Sequence, residues 1–152
     1  MDATMQTTNS NDPAAYLAPG RYVDSDHPAV VAFARRVAAP GLTPREAAVK
    51  LYYAVRDEFL YDPYHFDTTV EGLKGSHVIK AGRGFCVPKA ALLAAAARAL
   101  GVPARLGYAD VRNHLTSKRL YDMMGTDLFV FHGYTDLWID GQWLKACLLY
   151  TS

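Results

Sequence analysis

The sequence lacks the features that mark several classes of protein. It has no apolar run approaching the roughly 20 residues that a membrane-spanning helix needs. Its 16 basic and 15 acidic residues leave a formal net charge of +1, so no overall field attracts nucleic acid or an anionic membrane. The polar segment 1–11 precedes no hydrophobic signal-peptide core. We therefore expect a cytoplasmic protein that binds neither nucleic acid nor a membrane.

Cysteine is scarce, and Cys86 and Cys147 are its two occurrences. One pair gives no disulfide framework and a reducing cytoplasm favours thiols, so a Cys86–Cys147 bridge is the minor alternative. A structural zinc site normally needs four closely spaced Cys or His ligands, and the chain contains no CxxC or HxxxH pair. We therefore expect no metal ion, and we expect no cofactor.

The 152 residues, of which 51% are hydrophobic, suffice for one domain with one core. The opening residues mix Thr, Asn, Ser, Asp and Pro without periodicity, which predicts a flexible arm over residues 1–21. The ordered domain is predicted over residues 22–146. Residues 147–152 read CLLYTS, which one reading frame of a transposon-end sequencing adapter encodes. We expect a non-native tail there, with the C-terminal strands incomplete.

Helical signals come first along the chain. Apolar residues at helical spacing follow Pro28 and end before Pro40. The run Thr43-Pro44-Arg45-Glu46 combines a hydroxyl N-cap, an N-terminal proline and a glutamate three residues after the cap, and it predicts a long helix that stops at Asp62-Pro63. Residues 64–84 are too broken by glycine for a regular element and predict an ordered loop. A buried, alanine-rich helix is predicted from Cys86 to Leu100.

Strand signals fill the last third. Residues 104–112 alternate in polarity, and residues 127–139 are rich in Phe, Val, Tyr and Trp, so both segments predict strands. Asp140-Gly141 lies between two apolar runs and is a strong hairpin signal. It predicts residues 142–146 as the returning strand.

Cys86 has the setting of a reactive thiol. Glycines precede it in GRGFC and a helix begins with it, so unpaired N–H groups and the positive end of the helix dipole should lower its pKa. The alternative is a small buried hydrophobe, which most unpaired cysteines are. The glycine-rich approach, the helix start and a histidine on a later strand favour the nucleophile.

Three segments together resemble the transglutaminase-like superfamily. These are GRGFCVPKAALLAAAARALGVPARLGYADVR, FVFHGYTDLWIDGQWLKA and the helix REAAVKLYYAVRDEFLYD, and the resemblance spans residues 43–146. It implies an α+β, papain-like fold in which the nucleophile helix packs on an antiparallel sheet. It also implies that Cys86 is the nucleophile and His132 its base, acting on amide bonds of a protein or peptide, glutamine included, through a thioester. The acyl acceptor, water or an amine, stays open, as does the oligomeric state.

The remaining histidines match no position of the family motif. His77 lies shortly before Cys86 and could line the cleft, although a capping or solvated histidine is the favoured interpretation. The others are His27, His65 and His114.

A carboxylate or amide normally orients the histidine in this family. Asp136 is near His132 in sequence, but four residues of a strand span about 13 Å, too far for a hydrogen bond. Counting outward from the hairpin sets Tyr134 opposite Cys147 and His132 opposite Leu149, so position 147 is the same-face neighbour of His132. The resemblance places an aspartate at position 147, where this chain has cysteine. We therefore expect an intact nucleophile and weak catalysis.

Two further functions stay open. The domain could keep the fold as a non-catalytic binding module. It could also be an arylamine-acetyltransferase-like enzyme, which also has glycines before its cysteine. That match is poorer, because the acidic and amide residues expected after that cysteine are Val87, Pro88 and Lys89 here.

Overall fold

The computed structural model of the protein describes residues 12–64, 66–112, 118–119, 122 and 128–148. A short 3₁₀ helix at Pro13–Tyr16 precedes the main elements. Those elements are α1 (Pro28–Val37), α2 (Pro44–Glu58), β1 (Leu60–Tyr61), α3 (Gly75–Ala81), β2 (Arg83–Gly84), α4 (Cys86–Ala99), β3 (Ala104–Arg112), β4 (Leu128–Ile139) and β5 (Gln142–Ala146).

Strands β3, β4 and β5 form an antiparallel sheet with β4 in the centre. The turn Asp140-Gly141 has φ angles of 53° and 81° at its two residues, and a tight type I′ hairpin turn needs positive φ at both positions. Pairing runs from Ile139↔Gln142 to Thr135↔Ala146. The predicted hairpin and its register are therefore confirmed as far as β5 extends.

Helix α4 is the centre of the hydrophobic core. All ten residues from Pro88 to Ala97 are buried, and nine of them are apolar, the exception being Lys89. It contacts α1, α2 and α3 as well as strands β3 and β4. The predicted α+β arrangement, with the cysteine helix packed on an antiparallel sheet, is confirmed.

Helix α2 starts as predicted but ends earlier. Thr43 and Glu46 form a reciprocal capping box, in which each side chain accepts from the other residue's backbone N–H. The helix ends at Glu58 rather than at Asp62-Pro63, because Leu60–Tyr61 leaves it to pair in parallel with Arg83–Gly84.

The prediction that residues 64–84 contain no regular element was wrong. Helix α3 and strand β2 both lie in this segment. At the start of α3, a Cβ on Gly75 would lie 2.8 Å from the Cα of Leu92, so only glycine allows the two helices to approach this closely. Tertiary packing therefore stabilises a helix that is too short to be stable from its local sequence.

The described part of the predicted N-terminal arm packs against the domain. The ring of Tyr16 meets Trp143 edge to face, with the centroids 5.5 Å apart. The guanidinium of Arg98 donates a 2.7 Å hydrogen bond to the carbonyl oxygen of Ala18. Among the described residues, none of the helices has the length and apolar character required to cross a bilayer.

Candidate active site

Cys86 is the first residue of α4, and the strands before it position its backbone. The β1–β2 ladder holds Arg83–Gly84 in place, and Phe85 then adopts an extended N-cap conformation. A Cβ on Gly84 would lie 3.0 Å from a methyl group of Val78, so the approach to the cysteine is tight. The thiol itself is partly buried.

The backbone of Gly133 on β4 meets the thiol directly. Its N–H donates a hydrogen bond to the Sγ of Cys86 at 3.5 Å. The β4–β5 ladder ends at Thr135↔Ala146, so the Gly133 N–H beyond it reaches the sulfur. A Cβ on Gly133 would lie 3.2 Å from the Cα of Val87, which shows how closely α4 approaches the strand.

His132 is therefore one residue from the strand position that contacts Cys86. It pairs with Ala109 of β3, and its side chain is 1% exposed. Successive strand residues face opposite sides, and Gly133 faces α4, so the imidazole leaves the strand on the other face. A direct hydrogen bond between thiol and imidazole stays a prediction.

The prediction of a lowered pKa for the thiol was wrong in direction. Burial raises the pKa of Cys86, and the N–H of Gly133, the hydroxyl of Tyr61 and the N–H groups at the helix start oppose it only in part. The helix N-terminus thus acts as expected, but burial outweighs it. Burial also lowers the pKa of His132 to about 4. The resting site at neutral pH therefore holds a neutral thiol and a neutral imidazole that is able to accept a proton.

Two side chains of the site were not found from the sequence. The hydroxyl of Tyr61 on β1 hydrogen-bonds to the Cys86 thiol. The ammonium of Lys89 is buried one turn after the cysteine in α4. The sequence did contain a signal for Lys89, which is a charged residue inside a run rich in alanine and leucine. Such a residue is expected to be buried, and a buried charge must be paired or hydrogen-bonded. Nothing in the local sequence identified Tyr61.

Asp136 pairs with a residue other than His132, as expected from the length of strand that separates positions 132 and 136. Its carboxylate accepts a 3.1 Å hydrogen bond from the Nε of Arg105, on the neighbouring strand. Cys147 follows β5, and its carbonyl oxygen accepts a 2.9 Å hydrogen bond from the hydroxyl of Tyr52. Both cysteines are thiols. Leu149 lies outside the described residues, and the orienting partner of His132 stays a prediction.

The other histidines are distributed through the fold. His27 caps α1, where its Nδ1 accepts a hydrogen bond from the N–H of Ala29. His77 is on α3 and lines a cavity of about 130 Å³ together with Phe85 and Pro88, the residues on either side of the Cys86-Val87 pair. His65 and His114 lie outside the described residues. Across the described part of the chain, no three His, Cys, Asp or Glu side chains are grouped so that they could hold a metal ion.

A comparison with protein families matches residues 31–146 to the transglutaminase-like superfamily. The chain belongs to this superfamily. The match includes both Cys86 and His132. A comparison with curated proteins gives no match.

Solved structures share the fold. A candidate cysteine protease from Cytophaga hutchinsonii is similar at a TM-score of 0.71 and 20% identity, over 91% of this chain and 42% of that one. The periplasmic domain of TgpA from Pseudomonas aeruginosa is similar at a TM-score of 0.54 and 22% identity, over 81% of this chain and 42% of that one. A candidate protease from Parabacteroides distasonis is similar at a TM-score of 0.56 and 14% identity, over 88% and 25% of the respective chains.

At these identities the likeness concerns the fold. The chain spans less than half the length of these solved chains. The cytoplasmic location expected from the sequence stays a prediction.

Proposed function

We propose that this domain is a thiol enzyme that cleaves amide bonds of a protein or peptide through a thioester on Cys86. The observation that carries the proposal is the 3.5 Å hydrogen bond from the Gly133 N–H to the Sγ of Cys86, at the start of a helix and one residue from His132. A donor aimed at sulfur stabilises the thiolate more than the thiol. The superfamily and its protease-like structural neighbours support this chemistry.

The proposed reaction assigns one role to each residue. The neutral imidazole of His132 takes the thiol proton as Sγ attacks the amide carbonyl carbon. The resulting imidazolium then gives that proton to the departing amine, and the acyl group stays on sulfur as a thioester. Water, activated by the same imidazole, releases the acid and restores the thiol. The neighbours described as proteases favour water over an amine as the acceptor.

We further propose that catalysis by this chain is weak. A histidine that is oriented by a group other than a carboxylate can still accept a proton, but poorer control of its tautomer and ring position typically costs orders of magnitude in rate. Position 147, where the superfamily resemblance places an aspartate, is a cysteine here. Replacement of Cys147 by Asp should therefore raise the turnover.

The proposal is tested by detecting the covalent acyl-enzyme. The protein with Cys147→Ser is incubated with an activated ester or a glutamine-containing peptide, and the intact mass is measured. We expect one acyl group, mapped to Cys86 by peptide mass spectrometry, and its absence in Cys86→Ser. The absence of an acyl-enzyme with every one of these substrates would contradict the proposal.

A second candidate, a non-catalytic binding domain, is favoured by the burial that keeps both Cys86 and His132 neutral. The same mass measurement separates the two, because a binding domain forms no thioester. Turnover of acetyl-CoA would instead support the arylamine-acetyltransferase-like alternative.

A further inference from the structure

Tyr61 lies beside the thiol on an element with no other role in the proposed mechanism. It is the second residue of β1, and its pairing with Gly84 brings β1 alongside the residues that lead into Cys86. The side chain is buried, with 9% of the residue exposed. Its hydroxyl is within reach of the Cys86 thiol, and hydrogen bonding between the two groups lowers the pKa of the thiol. In addition to the N–H groups at the start of α4, the sulfur therefore has a polar neighbour on β1 and a backbone donor on β4.

Lys89 holds this strand against the nucleophile helix. It follows Cys86 by three residues, so both side chains lie on one side of α4. The residue is 1% exposed, and its ammonium donates hydrogen bonds to the carbonyl oxygens of Phe59 at 2.8 Å and Arg56 at 3.4 Å. The same nitrogen lies 5.8 Å from the ring centroid of Tyr61. The lysine thus joins the end of α2 and the start of β1 to the helix that carries the thiol.

We infer that Tyr61 is a positioning residue of the thiol site: its hydroxyl and the Gly133 N–H together hold the Cys86 thiolate, and Lys89 fixes the strand that carries Tyr61. The inference rests on the proposed role of Cys86 as the nucleophile. It adds to that role a residue at the end of the segment 45–62, which contains neither Cys86 nor His132.

The phenol is suited to act as a permanent donor. Burial and the nearby Cys86 and Cys147 thiols raise the pKa of Tyr61 above its usual value, so the hydroxyl keeps its proton wherever the thiol titrates. The Lys89 ammonium also lies near this tyrosine, and the negative charge of Asp57 acts on that ammonium. A donor that stays protonated favours the thiolate at every working pH.

The test compares Tyr61→Phe with Tyr52→Phe, both with Cys147→Ser. Tyr52 is a matched control, because its hydroxyl bonds the carbonyl oxygen of residue 147 and not the thiol. The rate of alkylation by iodoacetamide is measured across pH, with the thiolate absorbance followed in parallel. We expect Tyr61→Phe to shift the thiol titration to higher pH and to slow alkylation at pH 7 by roughly three- to tenfold, because the smaller thiolate fraction outweighs its greater nucleophilicity. Tyr52→Phe should leave both unchanged.

An unchanged titration in Tyr61→Phe, or an equal shift in Tyr52→Phe, would overturn the inference. The measurement stands apart from the proposed function, since the change in titration is readable whether or not a thioester forms. If Cys86 is reactive and acylated but its titration is unchanged in Tyr61→Phe, the positioning role of Tyr61 is refuted. The role of Cys86 as the nucleophile then still stands.

The variant Lys89→Met tests whether Lys89 fixes the strand that carries Tyr61. If the lysine acts by holding Tyr61, the double variant with Tyr61→Phe should alkylate no more slowly than Tyr61→Phe alone. Fully multiplicative effects of the two changes would show that the lysine acts independently and would overturn its assigned role.

Discussion

The hydroxyl of Thr135 on β4 donates a 2.8 Å hydrogen bond to the carbonyl oxygen of Ala90, one turn beyond Cys86 in α4. Both residues are buried, and the contact joins α4, the helix that begins with Cys86, to the strand that carries His132. On the same two elements, the thiol lies opposite the N–H of Gly133. We expect the buried hydrogen bond of Thr135 to help hold α4 and β4 in this alignment.

Replacing Thr135 by Val should lower both stability and thiol reactivity. The valine keeps the shape but removes the donor, at a cost of about 1 kcal/mol in the free energy of unfolding. Urea unfolding measures this cost, and Thr68→Val, at an exposed position, is the control. Because α4 is then less constrained on β4, alkylation of Cys86 should also slow. An alkylation rate equal to that of the parent protein would show that the helix keeps its position without this bond.

His132 should make the stability depend on pH in one window. Its folded pKa of about 4 lies below the ordinary value of 6.5, so between these values the unfolded chain binds a proton that the folded chain does not. The contribution of His132 to the free energy of unfolding is therefore fully present above this pH window and is lost as the pH decreases through it. Between pH 7 and 5 the parent protein should lose about 1–2 kcal/mol more than His132→Gln.

Chemical unfolding at the two pH values measures this difference. Each protein is compared with itself, so any effect of the substitution at pH 7 cancels. Equal losses in the two proteins would mean that His132 titrates alike in the folded and unfolded chains.

Lys89→Met should destabilise the fold although it removes a buried charge. The lost ammonium leaves the carbonyl oxygens of Arg56 and Phe59 without their donor at the end of α2, a penalty of about 1–3 kcal/mol that the added apolar surface offsets in part. Thermal unfolding should show a lower midpoint than in Lys80→Met, an exposed position on α3. A midpoint at or above that of the parent protein would indicate that the desolvation of the charge dominates.

Gly75→Ala should destabilise the protein although alanine favours helices. The new Cβ would lie 2.8 Å from the Cα of Leu92, so α3 and α4 must move apart, at a cost of about 1–3 kcal/mol. Gly20→Ala is the control, because its Cβ would meet the Arg98 guanidinium at an ordinary 3.6 Å. Calorimetry of the two variants gives the comparison, and equal midpoints would mean that α3 adjusts without strain.

Elements defined by their own residues could be predicted from the sequence. The capping box of Thr43 and Glu46 starts α2, and Asp140-Gly141 sets the hairpin, since both signals are local chemistry. Helix α3 and the β1–β2 pair were missed for the opposite reason. The close contact of Gly75 with α4 stabilises the first, and the second is a pairing of two short segments that are distant in sequence.

The residues of the candidate site also divide into those that the local sequence identifies and those that depend on tertiary packing. Cys86 was recognisable because a helix begins with it, and His132 because its segment resembles a family motif. The position of Tyr61 depends on the pairing of β1, which no local pattern encodes. The direction of the pKa shift of the thiol was missed because burial depends on the packing of the whole domain and outweighs the local effect of the helix start.

The burial of α4 has a consequence for how the molecule opens. Amide protons in a helix that is packed on every side exchange with solvent only when the whole domain unfolds, whereas a ladder of two residue pairs such as β1–β2 opens at little cost. The buried middle of α4 should thus be among the most slowly exchanging segments of the described chain, and the β1–β2 ladder should exchange sooner. An opening of that ladder would move Tyr61 and leave the body of α4 in place.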